Sequence, residues 1–351
     1  MSSHPAASSK TEQEQQQESN LRVSQAGSRS IVPGKTRHQW LKLFLRTGVT
    51  LLLFALLLKS VSWSTVLTTL LHAQRAPLLL GLAAGVLCVI FSSWSWHSLV
   101  RAEGMQIDLA RLIKLYLVGM AFSHFLPTSI GGDIARAYYA GKEGGSLAGA
   151  ASSVLMSRIA GFLGMLLIAL PTLLIWRSTF APLLVLGFLM PSLFLLIAIG
   201  GTIVAAPLLP HISPHLLKRR QRLQQLLTTA LNTGQMLGAT ARRPRVLTQA
   251  VCFGALFWLA SFLNYYGYAL ALGIDAPLHF YVIAISFSSL IAFFPVSLNG
   301  FGLKEGTLVF AFASIHVSPT VSLPLALLMD CQVLFFGLIG AGIYLAMERQ
   351  K

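Results

Sequence analysis

Long apolar runs separated by short polar segments dominate the chain from residue 43 onward. An α-helix needs about 17–25 predominantly apolar residues to cross a hydrocarbon core of about 30 Å. Six runs approach or exceed this length, at residues 43–58, 77–100, 154–176, 182–209, 246–271 and 321–347. The pattern predicts an all-α fold, a polytopic integral membrane bundle.

Two further apolar stretches, 112–128 and 280–296, run into clusters of Pro and Gly and are each followed by a shorter helical segment. A broken helix is tolerated at membrane depth only where protein or water covers its backbone groups. The two stretches therefore predict two helical hairpins. Hydropathy does not show whether each hairpin crosses the membrane or turns midway.

The remaining polar segments divide the chain. Residues 1–36 are rich in Ser, Gln, Glu and Lys, which predicts a disordered cytoplasmic tail without a signal peptide. Residues 37–209 form a first membrane half and 246–351 a second. The basic linker 210–245 spaces leucines on one helical face, as expected of a helix lying on an anionic leaflet.

Composition supports lipid as the solvent, since 55% of the residues are hydrophobic and only 11% are charged. The net charge of +15 calls for an anionic partner. Because the basic residues cluster between apolar runs, that partner is the membrane surface and not nucleic acid.

Lys and Arg in short loops set the orientation. Basic residues precede the first run and fill the linker 210–245, whereas loops 272–279 and 313–320 have none. Both termini are therefore expected in the cytoplasm. Each predicted span moves the chain to the other side of the membrane. With the basic segments in the cytoplasm, the two hairpins must therefore enter the membrane from opposite faces.

The two broken segments also resemble each other, which indicates an internal repeat. Phe125, Pro127, Ser129, Ile130, Gly132 and Arg136 match Phe293, Pro295, Ser297, Leu298, Gly300 and Lys304. Each pair is separated by 168 residues, as in 304 − 136. Interrupted segments at corresponding positions of two oppositely oriented halves are typical of a transporter site.

The chemistry of such breaks favours an anionic ligand. A helix that starts within the membrane presents free backbone N–H groups and a positive dipole end, which bind phosphate well. Arg136 lies about one turn beyond Gly132 and adds a planar fork that matches phosphate.

The motifs resemble the transmembrane, flippase-like part of the lysylphosphatidylglycerol synthases and their stand-alone relatives. The first family motif reads here as Pro127, Gly131, Gly132, Asp133 and Arg136, followed by the membrane residue Arg158, and the second as Pro295, Gly300, Gly302, Lys304 and Glu305. The likeness covers about residues 43–347, and the chain is expected to be a stand-alone member without the family's soluble aminoacyl-transferase domain.

Three positions depart from the family pattern. Thr128 and Val296 replace the Gly that often follows each Pro, and Ser157 replaces an acidic residue before Arg158. The last change removes an expected ion-pair partner of Arg158. The resemblance implies movement of a lipid or a lipid-linked molecule between leaflets.

The candidate site residues fall into two groups. Substrate binding is predicted for Ser129, Gly131, Gly132, Arg136, Arg158, Gly300, Gly302 and Lys304. Gating or ion coupling is predicted for Asp133, Glu305 and Asp330. Asp133 could instead cap the helix after the break, Glu305 could pair with Arg158 or Arg136, and Asp330 could pair with an arginine or carry a proton.

The leading hypothesis is a flippase-like transporter of the bacterial inner membrane that binds an anionic phospholipid or a lipid-linked intermediate. The alternatives are an intramembrane transferase acting on a polyprenyl phosphate or a phospholipid, and a non-catalytic partner in envelope-lipid assembly. No catalytic residue, metal or cofactor is predicted, because hydrolase, metalloprotease and nucleotide-binding motifs are absent from the sequence. A homo-oligomer is compatible with the sequence. Trp94, Trp96 and Trp176 are interpreted as interfacial-belt residues.

The predicted topology is open to direct test. Residues 210–245 and both termini should be cytoplasmic, and residues 272–279 and 313–320 should face the other side. A cysteine introduced as Asp275→Cys should react with an impermeant reagent in intact cells. Reaction only after permeabilisation would contradict the arrangement of two opposed hairpins.

Overall fold

The computed structural model describes residues 68, 71–125, 131–205, 238–239, 243–293 and 302–349. Within these ranges the chain forms α-helices and no strands. The helices are α1 (Arg75–Ala102), α2 (Leu109–Phe125), α3 (Gly131–Gly144), α4 (Leu147–Ile175), α5 (Pro182–Ala205), α6 (Pro244–Ala271), α7 (Leu278–Phe293), α8 (Leu303–Ala313) and α9 (Pro319–Arg349). The predicted first span, the tail, most of the linker, and Ser129 and Gly300 lie outside the described residues.

Five of these helices, α1, α4, α5, α6 and α9, are long and apolar enough to cross a membrane. They match five of the six predicted spans and confirm an all-α polytopic bundle. Local sequence sets their ends: the Ser146 hydroxyl accepts a hydrogen bond from the Gly149 N–H at the start of α4. Pro244 opens α6, where its missing N–H costs nothing.

The other four helices form two antiparallel hairpins. In the first, Arg111 of α2 pairs with Glu143 of α3 at the open end, while Gly119 meets Gly132 near the closed end. α3 has 14 residues, or about 21 Å at 1.5 Å per residue, which is too short to cross the membrane. The first hairpin therefore turns within the membrane.

The second hairpin is built the same way. The rings of Phe280 and Phe312 lie 5.1 Å apart at its open end, and the Ser288 hydroxyl donates to the Lys304 carbonyl, 2.8 Å away, further in. α8 has only 11 residues. This hairpin also turns before it reaches the far side.

The hairpins open at opposite ends of α4, as predicted from the loop charges. Leu112 and Ala140 of the first hairpin share an apolar cluster with Ala150, near the start of α4. Phe280 of the second hairpin shares another cluster with Leu173, near the end of α4. The bundle core thus holds two short hairpins that approach each other from opposite ends.

Glycines allow a close helix contact between α1 and α6. A Cβ atom on Gly267 would lie 2.8 Å from the backbone nitrogen of Gly81 and 3.0 Å from its Cα. The Asn264 side chain reinforces this crossing by donating to the Gly81 carbonyl. Backbone atoms cannot rotate away as a side chain could, so any side chain at position 267 must push the helices apart.

We expect Gly267→Ala to destabilise the protein by about 1–3 kcal/mol through overpacking. Gly342→Ala is the matched control, because a Cβ there meets nothing within 4 Å and gains helix propensity. Thermal unfolding in detergent should show a lower Tm for the first variant and an unchanged or higher Tm for the second. Equal Tm values for the two variants would contradict this packing.

Candidate functional site

A cavity of about 640 Å³ lies beside the closed end of the first hairpin. Its polar lining residues include Ser92, Ser95, Tyr116, Ser123, Asp133, Arg136, Ser157, Arg158 and Ser289. Its apolar wall includes Leu155, Phe162 and Met165 of α4 and Leu195 and Ile199 of α5. The sequence-predicted residues Gly132, Asp133, Arg136 and Arg158 are thereby brought to one place.

Gly131 and Gly132 are the first residues of α3, and both are buried. A Cβ on Gly132 would overlap the Gly119 carbonyl and the Ser123 hydroxyl of α2. Glycine is therefore required for the two helices to close, and this contact carries the next residue, Asp133, to the cavity.

Asp133 joins the two arginines of the site. Its carboxylate binds the Nε atom of Arg158, and it lies 3.5 Å from Nη1 of Arg136. Among the described residues, these two guanidinium groups, and not the amides of α3, are the hydrogen-bond partners of Asp133. Asp133 also supplies the acidic partner of Arg158 that the sequence lacks at Ser157.

Two aromatic rings hold Arg136. Its guanidinium carbon lies 4.2 Å from the centre of the Trp96 ring and 4.7 Å from that of Tyr116, so the cation is sandwiched between π faces. The Trp96 indole donates to the Ser153 hydroxyl at 3.0 Å. The interpretation of Trp96 as an interfacial residue was wrong, since this side chain is fully buried.

The two arginines differ in exposure, and this separates their roles. Arg136 is 8% exposed, and its Nε and Nη2 atoms have no hydrogen-bond partner among the described residues. The Arg158 side chain is 45% exposed. Arg158 is thus the more exposed of the two cations that line the cavity, while Arg136 is buried against Asp133 and the two aromatic rings.

The predicted residues of the second half form a separate cluster. Lys304 Nζ lies 3.2 Å from an oxygen of Asp330, and the Glu305 carboxylate accepts a 2.5 Å hydrogen bond from the Gly302 N–H. Glu305 therefore caps α8 and does not pair with Arg136 or Arg158. None of these four residues is among the described residues that line the cavity.

Comparison with known proteins agrees with this architecture. Residues 43–341 match the family described as the lysylphosphatidylglycerol synthase TM region, and the chain belongs to that family. A UPF0104 membrane protein of Methanothermobacter thermautotrophicus (strain Delta H) is 23% identical over 243 residues, covering 65% of this chain and 72% of the relative. No solved structure matches the chain significantly.

Two carboxylates on α3 give a matched test of the buried charge network. Asp133→Asn should lower the free energy of unfolding by about 3–5 kcal/mol, because it leaves buried Arg136 without a counterion. Glu143→Gln should cost less than about 1 kcal/mol, because its pair with Arg111 is about one-third exposed. Chemical unfolding in detergent would measure both, and similar losses would contradict the proposed network.

Proposed function

We propose that this member of the family moves an anionic phospholipid or a lipid-linked intermediate between the leaflets of the cell membrane, with the headgroup held at Arg158. The observation that carries the proposal is the half-exposed Arg158 guanidinium, which lines a cavity between membrane helices. Ionisable groups within membrane helices are costly and are characteristic of substrate pathways.

The charge balance of the cavity favours a headgroup with one negative charge. Asp133 contributes −1, and Arg136 and Arg158 contribute +1 each, so the three residues carry a net charge of +1. A phosphodiester would neutralise this excess, and an uncompensated charge in a low-dielectric site is unfavourable. The guanidinium fork of Arg158 matches its two free oxygens.

The rest of the cavity suits an acyl or prenyl chain. Phe162 and Met165 follow Arg158 on α4 by about one and two turns, and Leu195 and Ile199 face them from α5. One cavity thus offers a cation at its polar end and an apolar wall beside it, which is the amphipathic pattern of a lipid. Its volume lies within the range of about 300–1,000 Å³ typical of ligand pockets.

We also infer the orientation from the basic residues at one end of the bundle. Arg243 donates to the carbonyl of Ala102 at 2.5 Å, so the end of α1 and the start of α6 lie together. Arg101 and Arg245 lie beside them in sequence, and such basic clusters favour the cytoplasmic face. This end would face the cytoplasm of an inner membrane.

Substitution of Arg158 tests the proposal. Arg158→Ala should slow the movement of fluorescent phosphatidylglycerol in reconstituted vesicles by about ten- to a hundredfold, because a charged hydrogen bond contributes about 1.5–3 kcal/mol. Arg158→Lys keeps the charge but loses the planar fork of donors. Its rate of lipid movement should therefore lie between those of the parent and Arg158→Ala.

Arg177→Ala is the control for this experiment, because Arg177 is an exposed arginine in the turn after α4, outside the cavity lining. It should transport at the parental rate. Equal rates for Arg158→Ala and the parent, at equal amounts of folded protein, would place the headgroup site elsewhere.

A further inference from the structure

A second charged cluster lies beside α7, outside the described lining of the cavity. It contains Lys304 and Glu305 of α8, Asp330 of α9 and Tyr265 of α6. Besides accepting from the Gly302 N–H, the Glu305 carboxyl lies within hydrogen-bonding reach of the Asp330 carboxyl. Two carboxyl groups in contact, with one lysine beside them, are unusual inside a membrane bundle.

The charges of this cluster do not cancel. With every group in its ordinary ionised form, Lys304 contributes +1 and the two acids −2, which leaves an excess of −1. Glu305 is only 1% exposed, so water cannot stabilise the excess at its position. Two carboxylates that share a site cannot both ionise freely, and binding one proton removes both the repulsion and the net charge.

We propose that Glu305 and Asp330 share one exchangeable proton, and that this proton is the coupling ion for the lipid movement proposed above. Proton uptake converts the Glu305 carboxylate to a carboxylic acid, which donates to Asp330, and release returns the proton to water. The inference that the two acids share a proton is independent of the proposed function. The inference that this proton drives lipid movement rests on the proposed function.

The cluster has both an access side and a buried side. The Lys304 and Asp330 side chains are 25% and 20% exposed, so Asp330 is the more accessible of the two carboxyl groups. Glu305 is more deeply buried and accepts from the amide of Gly302, the N-cap residue directly before α8. The protonation state of Glu305 therefore acts on the start of the re-entrant helix.

A short path links this cluster to the lipid cavity through α7. The Ser288 hydroxyl donates to the Lys304 carbonyl at 2.8 Å and accepts from the Thr307 hydroxyl at 3.0 Å. The next residue, Ser289, lines the cavity. One helix thus contacts the backbone of Lys304 and the cavity with adjacent residues.

The groups around the proton are few in the described part of the chain. Tyr265 faces the cluster from α6, Lys304 from α8 and Asp330 from α9, while α7 contributes only the neutral Ser288. Lys304 is held by Asp330 and stays the counterion. The exchangeable proton therefore belongs to the two carboxyl groups.

Infrared spectroscopy of the full chain in lipid tests proton binding without any transport measurement. The parent should show the carbonyl band of a protonated carboxyl group near neutral pH. Glu305→Gln and Asp330→Asn should each lose this band, since a single acid beside Lys304 is neutral without a proton. Asp275→Asn, in an exposed loop, should keep it. Absence of the band in the parent, or its persistence in both variants, would overturn the proton site.

Glu305→Gln is also expected to fold, because the amide imitates the protonated acid. Its oxygen can still accept from the Gly302 N–H, and its NH₂ group can donate to Asp330. Asp330→Asn provides a second variant if the first is unstable. Loss of the carbonyl band in either folded variant is enough to support the shared proton.

Vesicles of phosphatidylcholine with a trace of fluorescent phosphatidylglycerol test coupling. A gradient of about one pH unit should drive the probe toward about tenfold asymmetry between leaflets per coupled proton. Glu305→Gln should leave the probe equally distributed under the same gradient.

The outcomes separate the two proposals. Probe movement that ignores the pH gradient, or that follows sodium instead, would overturn proton coupling and leave the lipid function standing. No probe movement under any condition would count against the lipid function and the coupling together, while the infrared band would still decide the proton site.

Discussion

Helices that stop inside a membrane leave backbone amides that lipid cannot satisfy, and the structure is organised around meeting this constraint twice. In the first hairpin, Gly132 packs directly on the backbone of Gly119, so that protein covers the start of α3. In the second, the Glu305 carboxylate caps the Gly302 amide. The first solution leaves an aspartate and two arginines beside a cavity, and the second uses an acid that a proton can neutralise.

The two hairpins share one plan with opposite charges. Arg158 lies eleven residues after the first residue of α4, and Asp330 lies eleven residues after the first residue of α9. Each reaches the closed end of the preceding hairpin, where Arg158 meets Asp133 and Asp330 meets Lys304. The cluster of Asp133, Arg136 and Arg158 is left with an excess positive charge. The cluster of Lys304, Glu305 and Asp330 is left with an excess negative charge. An anionic substrate suits the former, and a proton suits the latter.

Sequence reasoning could predict those features that depend on local pattern. The spans, the hairpins and their opposed entry follow from hydropathy, loop charge and the 168-residue repeat, and the short lengths of α3 and α8 settle that both turn within the membrane. It could not predict the stacking of Arg136 on Trp96, because the two residues are 40 positions apart and apolar periodicity does not distinguish a buried tryptophan from one at the interface. The 168-residue repeat also gives the wrong counterpart for Asp330. It aligns Asp330 with Phe162, which lies one helical turn after Arg158.

The Asp133–Arg158 pair explains how such a site could release its ligand as well as bind it. Transport requires binding that is favourable enough to admit a substrate and weak enough to let it leave. Asp133 occupies the Nε donor of Arg158, so an incoming phosphodiester must compete with an internal anion. That competition lowers the net affinity while the stacked, buried Arg136 keeps Asp133 in place. A bare Arg158 would hold an anionic headgroup more tightly but would move it more slowly.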